Sequence, residues 1–202
     1  MYVPAPFAPD DEAVHELLAN HGAADLVTAT PDGLTATTLP FVYDREQGRL
    51  LGHLARANDH WRQAIGEALV IIRGPDSYIS PSWYASKTEH GRVVPTWNYM
   101  LAHVHGPLTV HEDPSWIADV VRRLTEHHEG NRPEPWSVDD APEKFFQGQL
   151  RAIVGIEVKI TRLEAKFKLS QNRPPADMDG VIEGLRATGD EQGARAVETH
   201  RP

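Results

Sequence analysis

The sequence contains no cysteine. This absence excludes disulfide bonds, thiolate metal sites and cysteine nucleophiles from the protein's chemistry. The sequence also lacks the run of about 20 apolar residues that a membrane-spanning helix needs. Its first residues, Met1–Pro4, have neither the basic nor the apolar segment of a secretory signal peptide. Together these features predict a cytoplasmic protein.

An excess of basic residues is missing as well. The chain has 20 Lys and Arg against 29 Asp and Glu, which gives a formal net charge of −9. Affinity for nucleic acids depends largely on cations that neutralise phosphates. The sequence also shows no helix-turn-helix pattern. Direct binding to DNA is therefore disfavoured.

Several well-known catalytic motifs are absent too. The sequence contains no G-x-S-x-G, Walker loop, H-E-x-x-H or G-x-G-x-x-G. Interpretations as a hydrolase, a nucleotidase or a Rossmann protein therefore lack support. What remains is a chain of 202 residues, long enough for one large domain or for one domain and a tail.

Short strands joined by tight turns dominate the rest of the pattern. The predicted strands are 24–30, 34–43, 49–54, 68–73, 93–110 and 151–163. Helices are predicted after Pro9, after Asn58 and at 114–128, 141–150, 178–188 and 191–199. With few helices between the strands, this order favours an antiparallel barrel over a parallel α/β sheet. We expect Gly74-Pro75-Asp76 to break a strand and Pro174-Pro175 to separate a helical tail, residues 174–202.

The stretch from Leu51 to Trp61 is the most informative part of the sequence. A strand ending in Gly52 runs towards a helix that Asn58 is suited to cap and that is expected to continue through Ile65. Such a junction directs backbone N–H groups at a common point, and Arg56 would add a charge-assisted contact. The stretch therefore predicts a phosphate site. The alternative is an ordinary capped helix with a solvated arginine.

Three further stretches are rich in aromatic and polar residues. Residues 74–87 contain Trp83 and Tyr84, suited to wall a flat ring, or else to form a buried aromatic turn. Residues 94–99 indicate a rigid edge beside a ligand or a second subunit, or an ordinary strand. Residues 166–173 are suited to close over a ligand, although their composition is also typical of a surface turn.

His60 is a candidate metal ligand. It lies near the predicted helix start, where the dipole disfavours the protonated imidazole. A neutral imidazole is the form that haem iron binds. The alternative is an exposed histidine in the first helical turn.

In order along the chain, four stretches resemble the PaiB family of FMN-binding negative transcriptional regulators. They are Met1–Pro4, Gly52–Asn58, Gly74–Lys87 with Val94–Tyr99, and Lys168–Arg173. The resemblance implies an antiparallel split β-barrel with peripheral helices over residues 1–173, similar to pyridoxamine-phosphate oxidase. It also implies a homodimer that holds the flavin at the subunit interface.

The same resemblance implies roles for particular residues. The strand containing Thr37, Thr38, Leu39 and Pro40 would run beside the isoalloxazine ring. His53, Leu54, Ala55, Arg56 and Asn58 would hold the phosphate and the ribityl chain, with one cation where the split-barrel oxidases have two. Thr96, Trp97 and Asn98 would lie near the ring, and Lys168, Ser170 and Gln171 would close the site.

Two alternatives remain at this point. The pattern Arg56-Ala57-Asn58-x-His60-Trp61 is similar to that of haem-dependent split barrels such as piperazate synthases, with His60 as the axial ligand. The other alternative is a flavin-dependent oxidoreductase that acts on a small molecule. The substrate and the catalytic residues do not follow from the sequence.

Overall fold

The computed structural model describes residues 1–202 and contains eight strands and seven α-helices. The strands are β1 (Ala24–Thr30), β2 (Gly33–Leu39), β3 (Val42–Asp44), β4 (Arg49–Ala55), β5 (Ile65–Ile79), β6 (Thr96–His111), β7 (Ile153–Lys159) and β8 (Arg162–Lys168). The helices are α1 (Asp11–Ala19), α2 (His60–Gln63), α3 (Ser86–Glu89), α4 (Pro114–Glu129), α5 (Glu143–Arg151), α6 (Pro175–Ala187) and α7 (Glu191–Thr199). Short 3-10 turns lie at Ala5–Phe7, Pro81–Trp83 and Val138–Asp140.

All eight strands belong to one sheet. Their order is β2-β1-β5-β6-β7-β4-β3, and β8 pairs with β6 off this path. β1 pairs antiparallel with β2 and β5, and β4 pairs antiparallel with β3 and β7. The predicted antiparallel, α+β architecture is therefore confirmed. None of the helices is long and apolar enough to cross a membrane.

The chain divides into two compact units. The terminal unit consists of residues 1–17, 73–102 and 164–202. The central unit consists of residues 18–72 and 103–163.

In the central unit, α4 and α5 pack beside the β4–β7 pair. β4 and β7 are in register over their whole length, from Arg49↔Lys159 to Ala55↔Ile153. Leu51 of β4 forms a buried cluster with Val120 and Leu124 of α4. A second cluster joins Ile117 of α4 to residues of α5. The apolar stripe that predicted α4 thus faces the core.

The terminal unit contains the two C-terminal helices. α6 packs so closely on Trp83 that a Cβ at Gly184 would lie 2.3 Å from Cδ2 of the indole ring. The buried Asp177 carboxylate accepts hydrogen bonds of 2.9 Å from the backbone N–H and the hydroxyl of Ser86. The predicted pair of C-terminal helices is confirmed. The division of the chain at Arg173 into a barrel and a tail stays a prediction.

The structure corrects the predicted break at Gly74-Pro75-Asp76, because β5 continues through it to Ile79. The β1–β5 ladder ends at Ile71, so Pro75 lies beyond it and costs no hydrogen bond to β1. Gly74 is required for close packing, since a Cβ there would lie 2.9 Å from the Cβ of Met100.

Two other predicted elements are also corrected. The single strand expected over 151–163 is the end of α5 followed by β7 and the start of β8. The helix expected from Asn58 through Ile65 is a single turn, His60–Gln63, and Ile65 begins β5. A helix of one turn has almost no macrodipole, which removes part of the argument for an anion site at its start.

Candidate functional site

The central unit holds a buried histidine between two threonines. His60 is 4% exposed, and its Nε2 lies 2.8 Å from Oγ1 of Thr28. Its Nδ1 lies 2.8 Å from Oγ1 of Thr37. Thr28 and Thr37 are diagonal neighbours on β1 and β2, where Leu26 pairs with Thr37 and Thr28 pairs with Thr35. The two strands thus hold one hydroxyl against each ring nitrogen.

Asn58 completes this group. Its side-chain oxygen accepts a 3.0 Å hydrogen bond from the His60 backbone N–H, as a residue at a helix start does. Its amide nitrogen donates to the Thr37 hydroxyl over 3.2 Å. The predicted capping role of Asn58 is therefore present, one residue displaced from the assigned helix start.

Burial lowers the pKa of His60 below the usual histidine value. The neutral ring donates through one nitrogen and accepts through the other, which matches two hydroxyl partners. Neither nitrogen is left for a metal. The arrangement therefore does not fit His60 as an axial haem ligand.

Arg56 is bound within its own unit. Its Nε donates to the Arg151 carbonyl over 3.0 Å, and one terminal nitrogen donates to the Ile153 carbonyl over 3.1 Å. The other terminal nitrogen pairs with the Glu112 carboxylate. Arg56 thus caps the C-terminal end of α5. An incoming phosphate would have to share this guanidinium with Glu112.

The backbone of the 52–60 stretch is also largely satisfied. The N–H of Arg56 donates to the Ala152 carbonyl over 2.8 Å, and that of Asn58 to the Ala55 carbonyl over 2.9 Å. Gly52 is required by close packing, because a Cβ would lie 2.9 Å from the Pro40 carbonyl oxygen. The predicted fan of free amides is therefore smaller than the sequence indicated.

Sequence reasoning missed a second cation beside Arg56. Arg62 is exposed, pairs with Asp59 at 2.8 Å and reaches the Arg56 carbonyl at 3.3 Å. Its guanidinium carbon lies 4.1 Å from the centre of the Trp61 ring. The available signal was a second arginine six residues after Arg56. It was not used, because Arg62 lay inside the predicted helix.

The remaining predicted residues of the central unit differ in accessibility. Leu39 and Leu54 are buried core residues, whereas Thr38 and Ala55 are exposed. The Thr38 hydroxyl donates to the Asp25 carboxylate. The His53 side chain lines an apolar cavity beside α4 and α5, and burial lowers its pKa.

In the terminal unit, the structure brings the other predicted residues together around Lys168. The Lys168 ammonium donates to the Thr96 hydroxyl and to the Trp97 carbonyl over 2.6 Å. Asn98 donates to the Ser170 hydroxyl over 3.0 Å, and Ser170 adopts a left-handed φ of 68°. Burial lowers the pKa of Lys168, helped by the charges of Lys166 and Arg173. We call Thr96, Trp97, Asn98, Lys168 and Ser170 the lysine cluster.

Two further residues frame the lysine cluster. Gln171 donates to the Phe167 carbonyl and accepts from the Leu169 N–H, both over 2.7 Å, so it fixes the turn after β8. Half of the Trp97 side chain is exposed, and its indole N–H donates to Asp76 over 2.9 Å. The cluster therefore offers an exposed flat ring beside a held cation.

The 74–87 stretch takes the structural role that was its alternative. Trp83 packs under α6, and Tyr84 is 2% exposed with the Arg173 guanidinium 4.6 Å above its ring. Neither ring is free to wall a ligand. Lys87 is exposed and reaches only Ser82, at 3.2 Å.

The family model FMN_bind_2, described as "Putative FMN-binding domain", matches residues 1–162. The chain is also similar to "Protease synthase and sporulation protein PAI 2" of Bacillus subtilis. The two are 32% identical over 191 residues, which cover 92% of this chain and 89% of the relative.

Solved structures with the same fold include two mycobacterial proteins. The conserved hypothetical protein Rv2991 of Mycobacterium tuberculosis has a TM-score of 0.61 at 12% identity, with 86% of this chain and 94% of that chain covered. The FAD and haem binding protein of Mycobacterium smegmatis has a TM-score of 0.58 at 16% identity, with 79% and 71% covered. At these identities the likeness shows the fold alone, the split barrel expected from the sequence. The chain therefore belongs to the FMN-binding domain family of split-barrel proteins, with PAI 2 among its relatives, as the resemblance to the PaiB family implied.

Proposed function

We propose that this protein is a cytoplasmic homodimer that binds FMN. The family match over residues 1–162 is the observation that supports the proposal best. In support of the proposal, Thr37 and Asn58 lie together beside His60 in the central unit, and the lysine cluster brings other predicted residues together in the terminal unit.

The chemistry of the central unit suits the charged end of a flavin nucleotide. Arg56 and Arg62 supply two cations close in the chain, as a phosphate requires. The hydroxyls of Thr37 and Thr38 and the amide of Asn58 suit a ribityl chain. The His53 side chain has apolar surroundings, so these proposed contacts do not include its imidazole.

The lysine cluster suits the flavin ring. The exposed Trp97 offers a flat surface, and the Lys168 ammonium and the Asn98 amide are donors for ring carbonyl groups. In the proposed dimer, this cluster belongs to the flavin site of the neighbouring copy. Bound flavin supplies reversible electron transfer, and the chain's residues bind and orient it.

The proposed biological role is negative control of transcription without direct contact to DNA. The net charge of −9 argues against a basic face that would bind the phosphates of DNA. The name of PAI 2 refers to protease synthesis and sporulation. A role through a protein partner, or through a flavin-dependent reaction of a small molecule, is consistent with both points. Reduction of the bound flavin by NAD(P)H would distinguish a flavin-dependent reaction from passive binding of the cofactor.

The ion pair between Arg56 and Glu112 provides a sharp test of the phosphate site. FMN and riboflavin differ only in the phosphate, so a true phosphate contact affects FMN alone. We expect Arg56→Ala to weaken FMN binding about tenfold or more, the loss of a charge-assisted hydrogen bond worth ~1.5–3 kcal/mol. Glu112→Gln releases the guanidinium and is expected to tighten FMN binding. Riboflavin affinity should not change in either variant.

Fluorescence titration of the apo-protein and of each variant measures the affinities for FMN and for riboflavin. Arg132→Ala, which removes an exposed arginine paired with Glu129, is the matched control. Equal effects on FMN and riboflavin would remove Arg56 from the phosphate site. Because Arg56 also caps α5, its variant is compared at equal folded fraction. The Glu112→Gln result stands even if Arg56→Ala fails to fold.

A further inference from the structure

The central unit contains a cavity that the flavin proposal does not use. Its volume is about 230 Å³, and its walls come from α4, α5, the turn at Val138 and the strand β4. Val121, Val138, Phe146 and Leu150 supply an aliphatic and aromatic lining. No charged side chain lines it. A phosphate or any other anion would therefore find no partner in this cavity.

Two large aromatic side chains line the same cavity and are largely exposed to solvent. Trp136 is 50% exposed and Phe145 is 59% exposed, and both line the cavity. Exposed rings beside an apolar hollow are typical of a binding surface, since their burial is favourable. These two rings would therefore pack against a flat, apolar ligand.

His53 is the one titratable group of the lining. Leu51, two residues earlier on β4, packs under α4, and the alternation of a strand directs His53 to the same side. Its Nδ1 is buried and has no hydrogen-bond partner. A buried polar atom without a partner is costly and unusual. Burial lowers the pKa of His53, so the ring is neutral at neutral pH. The other polar groups of the lining are the amide of the exposed Gln149 and the indole N–H of Trp136.

From this geometry we propose that the cavity binds a small, neutral aromatic molecule of one or two rings that carries one hydrogen-bonding group for the His53 imidazole. The size of the ligand follows from the volume of the cavity, which is below the ~300–1,000 Å³ typical of sites for drug-sized ligands. Neutrality follows from the absence of a charged residue in the lining. The site is separate from the flavin site proposed above and does not depend on it.

Three probes of one shape test the proposal. Indole has an N–H group, indene has the same two rings without it, and indole-2-carboxylate adds a negative charge. Titrations of the complete protein, followed by NMR at the imidazole of His53 and the rings of Trp136 and Phe145, should show saturable binding of indole. We expect indene to bind at least fivefold more weakly and indole-2-carboxylate to show no saturable binding.

Variants separate the hydrogen bond from the cavity itself. His53→Leu should reduce indole affinity to that of indene and leave indene unchanged. Ala141→Trp fills the cavity and should abolish binding of both, and Ala141→Leu, a smaller change, should weaken both. Leu34→Ala removes a leucine that is 82% exposed on β2 and is the matched control, expected to change nothing.

Each contrary result overturns the proposal. Indole binding that survives Ala141→Trp in a folded protein would show that the cavity is not the site. Equal affinities for indole and indene would remove His53 as a hydrogen-bonding partner. Displacement of indole by FMN would show that the cavity is part of the flavin site. A change of molecular mass in solution on Phe145→Asp would show instead that Phe145 lies in an interface between copies of the chain.

Discussion

His60 shows how much a single residue depends on partners that are distant in sequence. The sequence indicated a neutral imidazole near a helix start, and burial does lower its pKa. Its partners Thr28 and Thr37 lie 32 and 23 residues away, and only the pairing of β1 with β2 brings them to the ring. The sequence attributed the neutral state to a helix dipole that a single turn scarcely supplies, whereas in the structure burial produces it. The hydroxyl partners, which leave no nitrogen for a metal, were not predictable from local sequence.

The partners of Arg56 could not be predicted from the sequence for the same reason. Its charge and its place after β4 are visible in the sequence. The carbonyls of Arg151 and Ile153 that it binds lie 95 and 97 residues further along the chain. Local sequence thus identified the cation without showing that it caps a helix.

A substitution at Thr28 tests the histidine group. Thr28→Val keeps the shape of the side chain but leaves one nitrogen of a buried ring unpaired. We expect the free energy of unfolding to fall by ~1–3 kcal/mol, the cost of an unsatisfied buried polar group. Urea denaturation at pH 7.5 measures the change.

Thr35→Val is the matched control for this experiment. Thr35 lies directly across from Thr28 on β2 and makes neither bond to His60. Its replacement is expected to change stability by less than ~0.5 kcal/mol. Similar losses in the two variants would show that the bond between Thr28 and His60 contributes nothing of its own.

At the scale of elements, α4, α5 and the C-terminal pair lie close to the predicted ranges, and apolar spacing was the signal for α4. Prediction failed where a glycine or proline serves packing rather than a turn. Gly74 and Pro75 lie inside β5, because Met100 approaches Gly74 and the β1 ladder has already ended. Neither circumstance is visible in the local sequence.

Two helical glycines test the packing of α6. At Gly184 an added Cβ would lie 2.3 Å from Cδ2 of the Trp83 ring, whereas at Gly148 in α5 it would meet only an arginine nitrogen at 3.9 Å. We expect Gly184→Ala to destabilise the protein by ~1–3 kcal/mol through overpacking. Gly148→Ala should stabilise it by ~0.5–1 kcal/mol, because alanine favours the helix.

Thermal and urea unfolding of both variants decide between packing and backbone propensity. The account requires effects of opposite sign. If both substitutions stabilise the protein, α6 does not press on Trp83 as the structure shows.

At the scale of the whole molecule, buried histidines couple stability to pH. Burial lowers the pKa values of His21, His53 and His60 below the usual histidine value of 6.5. The unfolded chain therefore binds more protons than the native protein below that value. The contribution of these histidines to the free energy of unfolding is expected to be at its maximum above pH 6.5. It should decrease as the pH falls from 6.5 towards the native pKa values.

Denaturation curves between pH 7.5 and 5 measure this dependence. His60→Gln should flatten it, since one of the shifted groups is gone. His90→Gln, at an exposed histidine, should leave the slope unchanged. A stability that does not decrease below pH 6.5 would mean that the buried rings are not held neutral.

The family and fold of the molecule were predictable because several short motifs of the family occur in order along the chain. The division into two units was not, since each unit is assembled from segments distant in sequence. Each unit nevertheless gathers predicted residues into one group: the hydroxyls around His60 in one, the lysine cluster in the other.

The most direct test of flavin binding is a titration of the wild-type apo-protein with FMN, followed by flavin fluorescence and by the absorption spectrum. The account predicts a saturable change with one FMN per chain and the yellow absorbance of oxidised flavin in the complex. A protein that shows no saturable response to FMN, or that binds haem with a Soret band lost in His60→Ala, would contradict it.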